Sequence, residues 1–539
     1  MNIIIIDFNS LDEEYLQKYR SIYLKSFSKF NKLLEEILIK NSKIKLLISH
    51  PIFSRNNYLS SFYEDYCSLM LLSEIITNKN KYKILARNYN QKILFTDFFI
   101  NYKNISFVSP NKNIIKIYSK QLLILIKNLI FLISLYPLKF LIKPLKVKKI
   151  NIVVINIIDS MFSNNQFKDR YYNGIDSELK NNKDTYFYPI FLIKNNYLKK
   201  ISIMNSSLYK IIFPFHYITF TELFKIYFYF INFFKIKINN QNKYYNKYFK
   251  NKFFENLIST ETFFSFLNYY FIKGLKNNNI ILSKSINWYE NQPMEKGYNL
   301  SVNNYFPNCI NKGYKSYFVD NNFHFYIRPT EYEIKLRVIP KIIASNCYYD
   351  VADLKLFSKS FAVVPAPLFR FSYFNLLKHK NKISNNSILV CLPIHFVESL
   401  SILKLVNNFL SLNTMYNFLI KPHPFLKISK LKKYIRHPNI KLTYENNDLL
   451  FSRCFVLITN TSSISLESLL QGLPVIISSY MQKNIQNPLN IFNSNNFIVV
   501  YNVEQLRLAI DQINDNNYKL DSYEIMKKIT SFTYGSKLI

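Results

Sequence analysis

His423 stands between Pro422 and Pro424 at the end of the run Tyr416-Asn-Phe-Leu-Ile-Lys-Pro-His-Pro424. Proline fixes its own φ and drives the residue before it towards extended geometry, so the histidine backbone is stiff. A stiff imidazole just past a strand end can bind an oxyanion or protonate a leaving group, and Lys421 adds positive charge beside it. The plainer alternative is a turn with a surface histidine. A second corner, Phe455-Val-Leu-Ile-Thr-Asn-Thr-Ser-Ser463, brings Asn460, Thr461, Ser462 and Ser463 to the start of a short helix. Hydroxyls and unpaired backbone N–H groups at a helix start make an anion site, with Ser462 and Ser463 expected as N-caps. Capping alone would also explain them. Glu467 lies one helical turn beyond Ser463 on the same face, where it can accept from a ribose hydroxyl or be a solvated helix carboxylate. The two corners together predict a pocket for the phosphates of a nucleotide.

Glu290 lies in Trp288-Tyr-Glu-Asn-Gln292, beside the only tryptophan. A carboxylate in an aromatic setting can have a raised pKa and act as a general base; the alternative is a loop acid paired with a lysine. Asp169 and Arg170 follow an expected strand at Ile150–Ile157 and are either cleft residues or a structural ion pair. Asn291, Arg370 and His395 complete the candidates. The five cysteines are scattered with no CxxC pair, which argues against a disulfide framework or zinc site and for a reducing compartment. No metal and no cofactor are expected.

These residues need strands to carry them. Short apolar runs ending in polar loops read as buried parallel strands, and ligands bind at the carboxyl ends of such strands. In the last third the alternation is regular: strands Ile388–Leu392, Tyr416–Ile420, Ile440–Leu442, Val475–Ser478 and Phe497–Tyr501, with a helix at Val397–Leu410. Gly472 and Pro474 close the short helix after Ser463. Upstream, strands are expected at Asn2–Ile6, Ile44–Ser49, Lys92–Phe95, Ile105–Val108, Ile150–Ile157, Thr185–Ile193, Asn279–Ile286 and Ile342–Ser345. Pro189 inside one of them either counts against that strand or marks an edge. Helices are expected over Glu13–Ile39, divided in two, and Ser60–Ile76. The domain division is 1–149, an α/β region of unknown role; 150–380; 381–520; and a tail, 521–539.

The chain carries a formal charge of +36, 49% apolar residues and only 6 glycines. Lys, Asn, Ile, Tyr and Phe are inflated together, as an A+T-rich coding sequence would produce, and the lysines are spread along the chain. Nucleic acid is therefore not the expected partner; the charge favours anionic membrane surfaces or phosphate-bearing substrates. Residues 2–7 read as a strand and not as a secretory signal. Leu122–Ile142 is interrupted by Lys127, Pro137 and Lys139, and its lysine-free part is too short to cross a bilayer. That stretch and Phe213–Ile236 are either helices lying on a membrane or ordinary core helices.

The stretches Phe167-Lys-Asp-Arg-Tyr-Tyr172, Trp288-Tyr-Glu-Asn-Gln292, Gly313-Tyr-Lys-Ser316, Pro365-Ala-Pro-Leu-Phe-Arg370, Lys421-Pro-His-Pro424 and Ser462-Ser-Ile-Ser-Leu-Glu467 follow one another in this order. Over residues 150 to 500 the chain resembles bacterial surface-carbohydrate biosynthesis proteins related to GT-B glycosyltransferases. The sialyltransferase-like and Kdo-transferase-like members share the His-Pro and Ser-Ser elements. Gly313-Tyr-Lys-Ser316 departs from the Gly-Tyr-Gln-His of similar sequences, on the acceptor side.

The resemblance implies a GT-B-like α/β fold with two Rossmann-like domains facing a cleft. It implies a nucleotide-sugar donor held by Lys421, His423, Thr461, Ser462, Ser463 and Glu467, with Glu290 as the base on a glycan or lipid-linked acceptor. A cytoplasmic enzyme is expected, and the charge and the two apolar stretches allow peripheral contact with the inner face of the membrane. The alternatives are a nucleotide-sugar epimerase or hydrolase of the same fold, or a non-catalytic scaffold for glycan assembly.

Overall fold

The structure is a computed structural model. It describes residues 3–538 except 141, 164, 170, 173–174, 176–183, 193–195, 206–208, 238–242, 316–324, 347–349, 368, 370–385, 425, 427, 484–486, 491, 493, 516–517, 519, 522–523 and 526–537. The candidates Arg170 and Arg370, with Ser316 and the expected boundary at 380/381, lie outside the described residues. The chain divides into two compact units: Met1–Ser316 with Phe325–Phe369 and Lys537–Ile539, and Tyr317–His324 with Arg370–Ser536.

The first unit opens with a three-stranded parallel sheet, β1 (Ile3–Asp7), β2 (Lys81–Leu85) and β3 (Ile105–Val108). The expected strand at Ile44–Ser49 is instead a buried turn and a 3-10 helix, entered through Leu46 at φ 54°. The expected strand at Lys92–Phe95 lies in a helix, Tyr89–Phe98, capped by Asn88. Both runs are apolar because they face the core, which periodicity over so few residues cannot tell from a strand.

The larger sheet of this unit has six parallel strands: β4 (Lys149–Ile157), β5 (Thr185–Phe191), β6 (Ile281–Trp288), β7 (Ile310–Lys315), β8 (Ile342–Ser345) and β9 (Ala362–Pro365). Their order across the sheet is β9-β8-β7-β6-β4-β5. Pro189 lies on the edge strand β5, so of the two alternatives it marks an edge. Phe187, two residues earlier, directs its own N–H and C=O away from β4 to Lys210 and Ile212, so Pro189 lacks a donor only on the outer side. The chain moves outwards from β4 to β5 and then crosses to β6 on the other side. The switch point of the sheet is therefore between β4 and β6, where a ligand crevice is expected.

Residues 1–149 are part of this unit and are bonded into its interior. The Arg55 guanidinium, buried, donates to the carbonyls of Tyr326 (3.1 Å) and Arg328 (3.0 Å) and to Glu333 (2.8 Å). Tyr248 donates to the buried Asp65 at 2.7 Å, and His50 stacks on Phe253 with ring centroids 4.1 Å apart.

The second unit is a six-stranded parallel sheet of β10 (Ser387–Cys391), β11 (Asn417–Lys421), β12 (Ile440–Leu442), β13 (Val456–Thr459), β14 (Val475–Ser478) and β15 (Ile498–Val500). The order β12-β11-β10-β13-β14-β15 is that of a doubly wound dinucleotide-binding sheet, with its switch point between β10 and β13. Buried Val and Ile side chains of β10 and β13 pack with the helices Phe396–Leu410 and Val503–Asn514 as one core. The chain is thus α/β, with the two Rossmann-like units expected.

With so few glycines, left-handed backbone falls mostly to other residues: Leu46, Arg55, Asn165, Asn196, Asn279, Asn291, Arg337 and Met481 all have positive φ, beside Gly472 at 75°.

Candidate functional site

In the second unit the predicted corners arrive at the carboxyl edge of the sheet. Strand β11 ends at Lys421, β13 ends at Thr459, and β10 lies between them. The loop after β10 carries His395, and the loop after β13 carries Asn460 to Ser463. Across the switch point the Thr461 hydroxyl donates to Glu398, in the helix that follows the β10 loop, at 3.3 Å, and the strand ends are joined by Thr459 donating to the Cys391 carbonyl at 2.9 Å.

Lys421, Asn447 and Glu467 form a relay. The Lys421 ammonium donates to the Glu445 carbonyl at 2.6 Å and to the Asn447 side chain, and Asn447 donates to Glu467 at 2.9 Å. Burial holds the Lys421 pKa below its usual value. His423 lies just past β11, part-buried, its carbonyl accepting from the Leu426 N–H at 2.9 Å.

One expectation is corrected here. Ser463 occupies the N-cap position of the helix Ile464–Leu470, but its backbone is already helical and its side chain makes no cap bond. Ser462 makes only a long contact, accepting from Ile464 at 3.4 Å. A capping side chain needs an extended backbone at that residue, and this tight turn does not supply it.

Asn460, the fourth residue expected at this corner, stands next to them. Asn460 is 2% exposed, its Oδ1 accepts the Thr461 N–H at 2.6 Å, and its Nδ2 has no partner among the described residues. The Ser478 hydroxyl, buried at the end of β14, is likewise without a partner there. Orphan buried donors are rare because each forfeits its hydration, so a cluster at a sheet's carboxyl edge calls for an acceptor.

In the first unit the predicted Glu290 follows β6 at that sheet's switch point. Its carboxylate accepts from the Trp288 indole N–H at 2.8 Å and from Gln292 at 3.3 Å. A second carboxyl lies beside it. Glu295, in the first turn of the helix Pro293–Tyr305, accepts the Glu290 backbone N–H at 3.0 Å. Burial, and then the negative charge of Glu290, push Glu295 up to about 8 from an ordinary 4.5. The helix N-terminus favours its carboxylate form by about 0.3–1 kcal/mol, too little to prevent this. The base expected at Glu290 is therefore one half of a carboxyl pair.

Glu295 also borders a small pocket, with Val154, Asn156, Asn287, Trp288 and Tyr298 among its lining residues. Asn287 is 3% exposed, and neither end of its amide has a partner among the described residues. Asp169 is turned to its own loop, its Oδ1 accepting the Tyr171 N–H at 2.7 Å, and Tyr171 packs on Trp288 with centroids 4.4 Å apart.

Below the loop is an ion network. The Lys296 ammonium, 1% exposed, donates to Glu333 at 2.7 Å and to the Asn291 side chain. Burial lowers the Lys296 pKa; burial would raise Glu333, but Arg55 and Lys296 outweigh it and hold it at about 2. Asn291 sits at φ 55°, a strained position for a residue with a side chain, kept by its bond to the Tyr326 carbonyl at 2.9 Å. Asn56 reaches Gln292 at 3.2 Å, so the N-terminal region braces this loop from a second side. The helix itself is fixed by Gly297, whose N–H donates to Ser265 at 2.9 Å. A Cβ on Gly297 would lie 1.8 Å from the Ser265 carbonyl oxygen.

No family model and no curated protein matches the chain. Solved structures similar to it include a UDP-GlcNAc 2-epimerase from Neisseria meningitidis bound to UDP-GlcNAc, at 9% identity and TM-score 0.41, covering 71% of this chain and 98% of that one. The lipopolysaccharide outer core galactosyltransferase WaaB, in its apo form, is similar at 10% identity and TM-score 0.41, over 72% of this chain and 96% of that one. The S. aureus MnaA–UDP complex is similar at 12% and 0.41, over 72% and 93%. Scores this low carry nothing about substrate or reaction.

Proposed function

We propose that the protein transfers a sugar from a nucleotide-sugar donor to a surface-glycan or lipid-linked acceptor. The observation that supports this best is the Asn460 corner: an unpaired buried donor beside Thr461, Ser462 and Ser463, at the switch point of a doubly wound sheet. That arrangement offers N–H and O–H groups to an anion where such sheets bind nucleotides. In this reading Asn460 and the three hydroxyl residues hold the donor phosphates, with His423 and Lys421 supplying positive charge. Glu467, tied to Lys421 through Asn447, faces the ribose.

The carboxyl pair of the first unit supplies the base. Glu295 keeps its proton at neutral pH, and in this reading Glu290, held by the Trp288 indole N–H, is the group that accepts a proton from an acceptor hydroxyl.

The test is a thermal-shift panel of CMP, CDP, UDP and GDP on the wild type, Asn460→Ala and His423→Ala. One nucleotide at about a hundredfold over its Kd should add about 2.7 kcal/mol of stability to the wild type and far less to the variants. Absence of any shift with folded protein would overturn the donor site. With the matching nucleotide-sugar, turnover that needs no acceptor would replace transfer by epimerisation or hydrolysis.

A further inference from the structure

The helix Ile114–Leu135 is built inside out. Its stripe Ile115, Tyr118, Leu122, Ile126, Leu129 and Ile133 recurs at helical spacing and faces outwards, with Ile115 80% and Ile133 62% exposed. The opposite stripe, which faces the protein, includes Gln121 and Asn128 alongside Phe131, Leu132 and Leu135. Gln121 is satisfied there by the Phe254 carbonyl at 2.8 Å. A helix that places amides inwards and aliphatic side chains outwards is matched to an apolar medium outside it.

A second segment continues the pattern. The helix Phe220–Tyr227 packs beside the first and runs into a 3-10 turn, Tyr229–Lys235. Phe220, Phe224 and Phe228 form an exposed ladder, followed by Ile231 and Phe234. Its one acid, Glu222, is buried in a capping box with Thr219 and paired to Lys273 at 3.0 Å.

The first helix and its flanking sequence carry charge of one sign, and an acid on a packed helix, Glu255, is paired with Lys112. No Asp or Glu occurs between Asp97 and Asp159, while Lys116, Lys120, Lys127 and Lys139 lie in or just beyond the first helix. We propose that the Ile114–Phe140 and Phe220–Phe234 faces together dock the protein on an anionic lipid bilayer, lying in the interfacial plane. The lysines provide the charge complement to acidic headgroups, and the aliphatic and aromatic stripes enter the acyl boundary.

The first helix is long enough to cross a bilayer, at 22 residues or about 33 Å. The in-plane arrangement is favoured over a crossing because one side is packed along the helices of the first unit and Lys127 falls at mid-length on an exposed surface. An in-plane helix keeps that ammonium among headgroups. This inference is independent of the proposed reaction, since neither a nucleotide nor turnover enters it.

The experiment is flotation of the full chain with vesicles of phosphatidylcholine alone and of phosphatidylcholine and phosphatidylglycerol in equal parts. The variants are Leu122→Asp/Ile133→Asp and Lys116→Glu/Lys120→Glu; all four positions are exposed, so the fold is retained and checked by circular dichroism. The wild type should float with the anionic vesicles and bind neutral ones about tenfold or more weakly. Either double variant should lose about tenfold or more on anionic vesicles, and only the apolar pair should also lose its residual binding to neutral ones. A wild type that floats with neither vesicle, or a Leu122/Ile133 variant that floats as well as the wild type, overturns the proposal. So does a wild-type dimer in light scattering that the Asp pair dissolves while nothing floats, which would assign the face to a second copy of the chain.

Discussion

The Glu290 backbone N–H points at the Glu295 carboxyl, 3.0 Å away, so a strand end and a helix start are locked into one turn carrying two acids. The bond fixes the acids as neighbours, and their mutual repulsion adds to burial in keeping a proton on Glu295 at neutral pH.

That proton has a stability signature. Glu295 has a folded pKa of about 8 against an ordinary 4.5, so the folded protein binds the proton more tightly than the unfolded chain. Its contribution is fully present below pH 4.5 and is lost as pH rises towards 8. The urea midpoint of Glu295→Gln should therefore fall less than that of the wild type between about pH 5 and about pH 9. Parallel profiles would mean that Glu295 titrates normally.

Turnover should separate the two acids. Glu290→Gln should lower kcat by about 10²–10⁴-fold. Glu295→Gln, which keeps a neutral group, should retain neutral-pH activity and lose the limb of the pH profile near 8. These limbs belong to the pair and would be read as such.

Glu333 is the anion between Arg55 and Lys296, and all three are buried. Removing one member of a buried ion network leaves uncompensated charge, so Glu333→Ala should cost about 3–5 kcal/mol in urea unfolding. With its pKa held at about 2, its contribution is present above pH 4.5 and disappears as acid approaches 2. An Arg55→Ala variant should show a loss of the same sign and displace the Glu290 loop.

Asn287 offers a test that distinguishes binding from architecture. Its amide is buried without partners among the described residues, so Asn287→Leu should be neutral or stabilising to the free protein. If the pocket takes a polar ligand, the same change should lower kcat/KM. A higher Tm with intact turnover would remove Asn287 from the site.

The second unit was legible because its strands are continuous Val and Ile runs with turn chemistry at both ends. Ile440–Leu442 and Val475–Ser478 occur where the pattern places them. In the first unit β7 escaped notice because Ile310-Asn-Lys-Gly-Tyr-Lys315 does not read as apolar. The amide nitrogen of its buried Asn311 donates to Asn299 at 3.1 Å and Asn303 at 3.2 Å, a polar ladder with no periodic signal. The strand β2 hides behind alternating lysines, while the apolar run after it belongs to a helix whose cap, Asn88, was the available sign.

Of the site, Glu290, His423 and the hydroxyl corner stood out by type and neighbours. Glu295 did not, because a Glu in the first turn after Pro293 looks like ordinary helix-start chemistry. Only the fold shows that the Glu290 amide is its partner. The bracing of this loop by Arg55 and Asn56 spans more than two hundred residues of sequence, |i−j| being 278 for Arg55 and Glu333, and has no local signature.

The left-handed residues have an evolutionary consequence. Where the codon supply rarely offers glycine, a turn that needs positive φ is filled by asparagine or by a residue that bears the strain, at roughly 1–2 kcal/mol per position. At Arg55 and Asn291 the side chain is committed to the network around Glu333, so the strain is tied to the Glu290 loop. At Arg337 and Met481 the side chains are exposed, so a glycine there would relieve the strain without opening a cavity. Such turns are unused adaptive room: a descendant lineage under a different base composition could gain stability there without touching the chemistry.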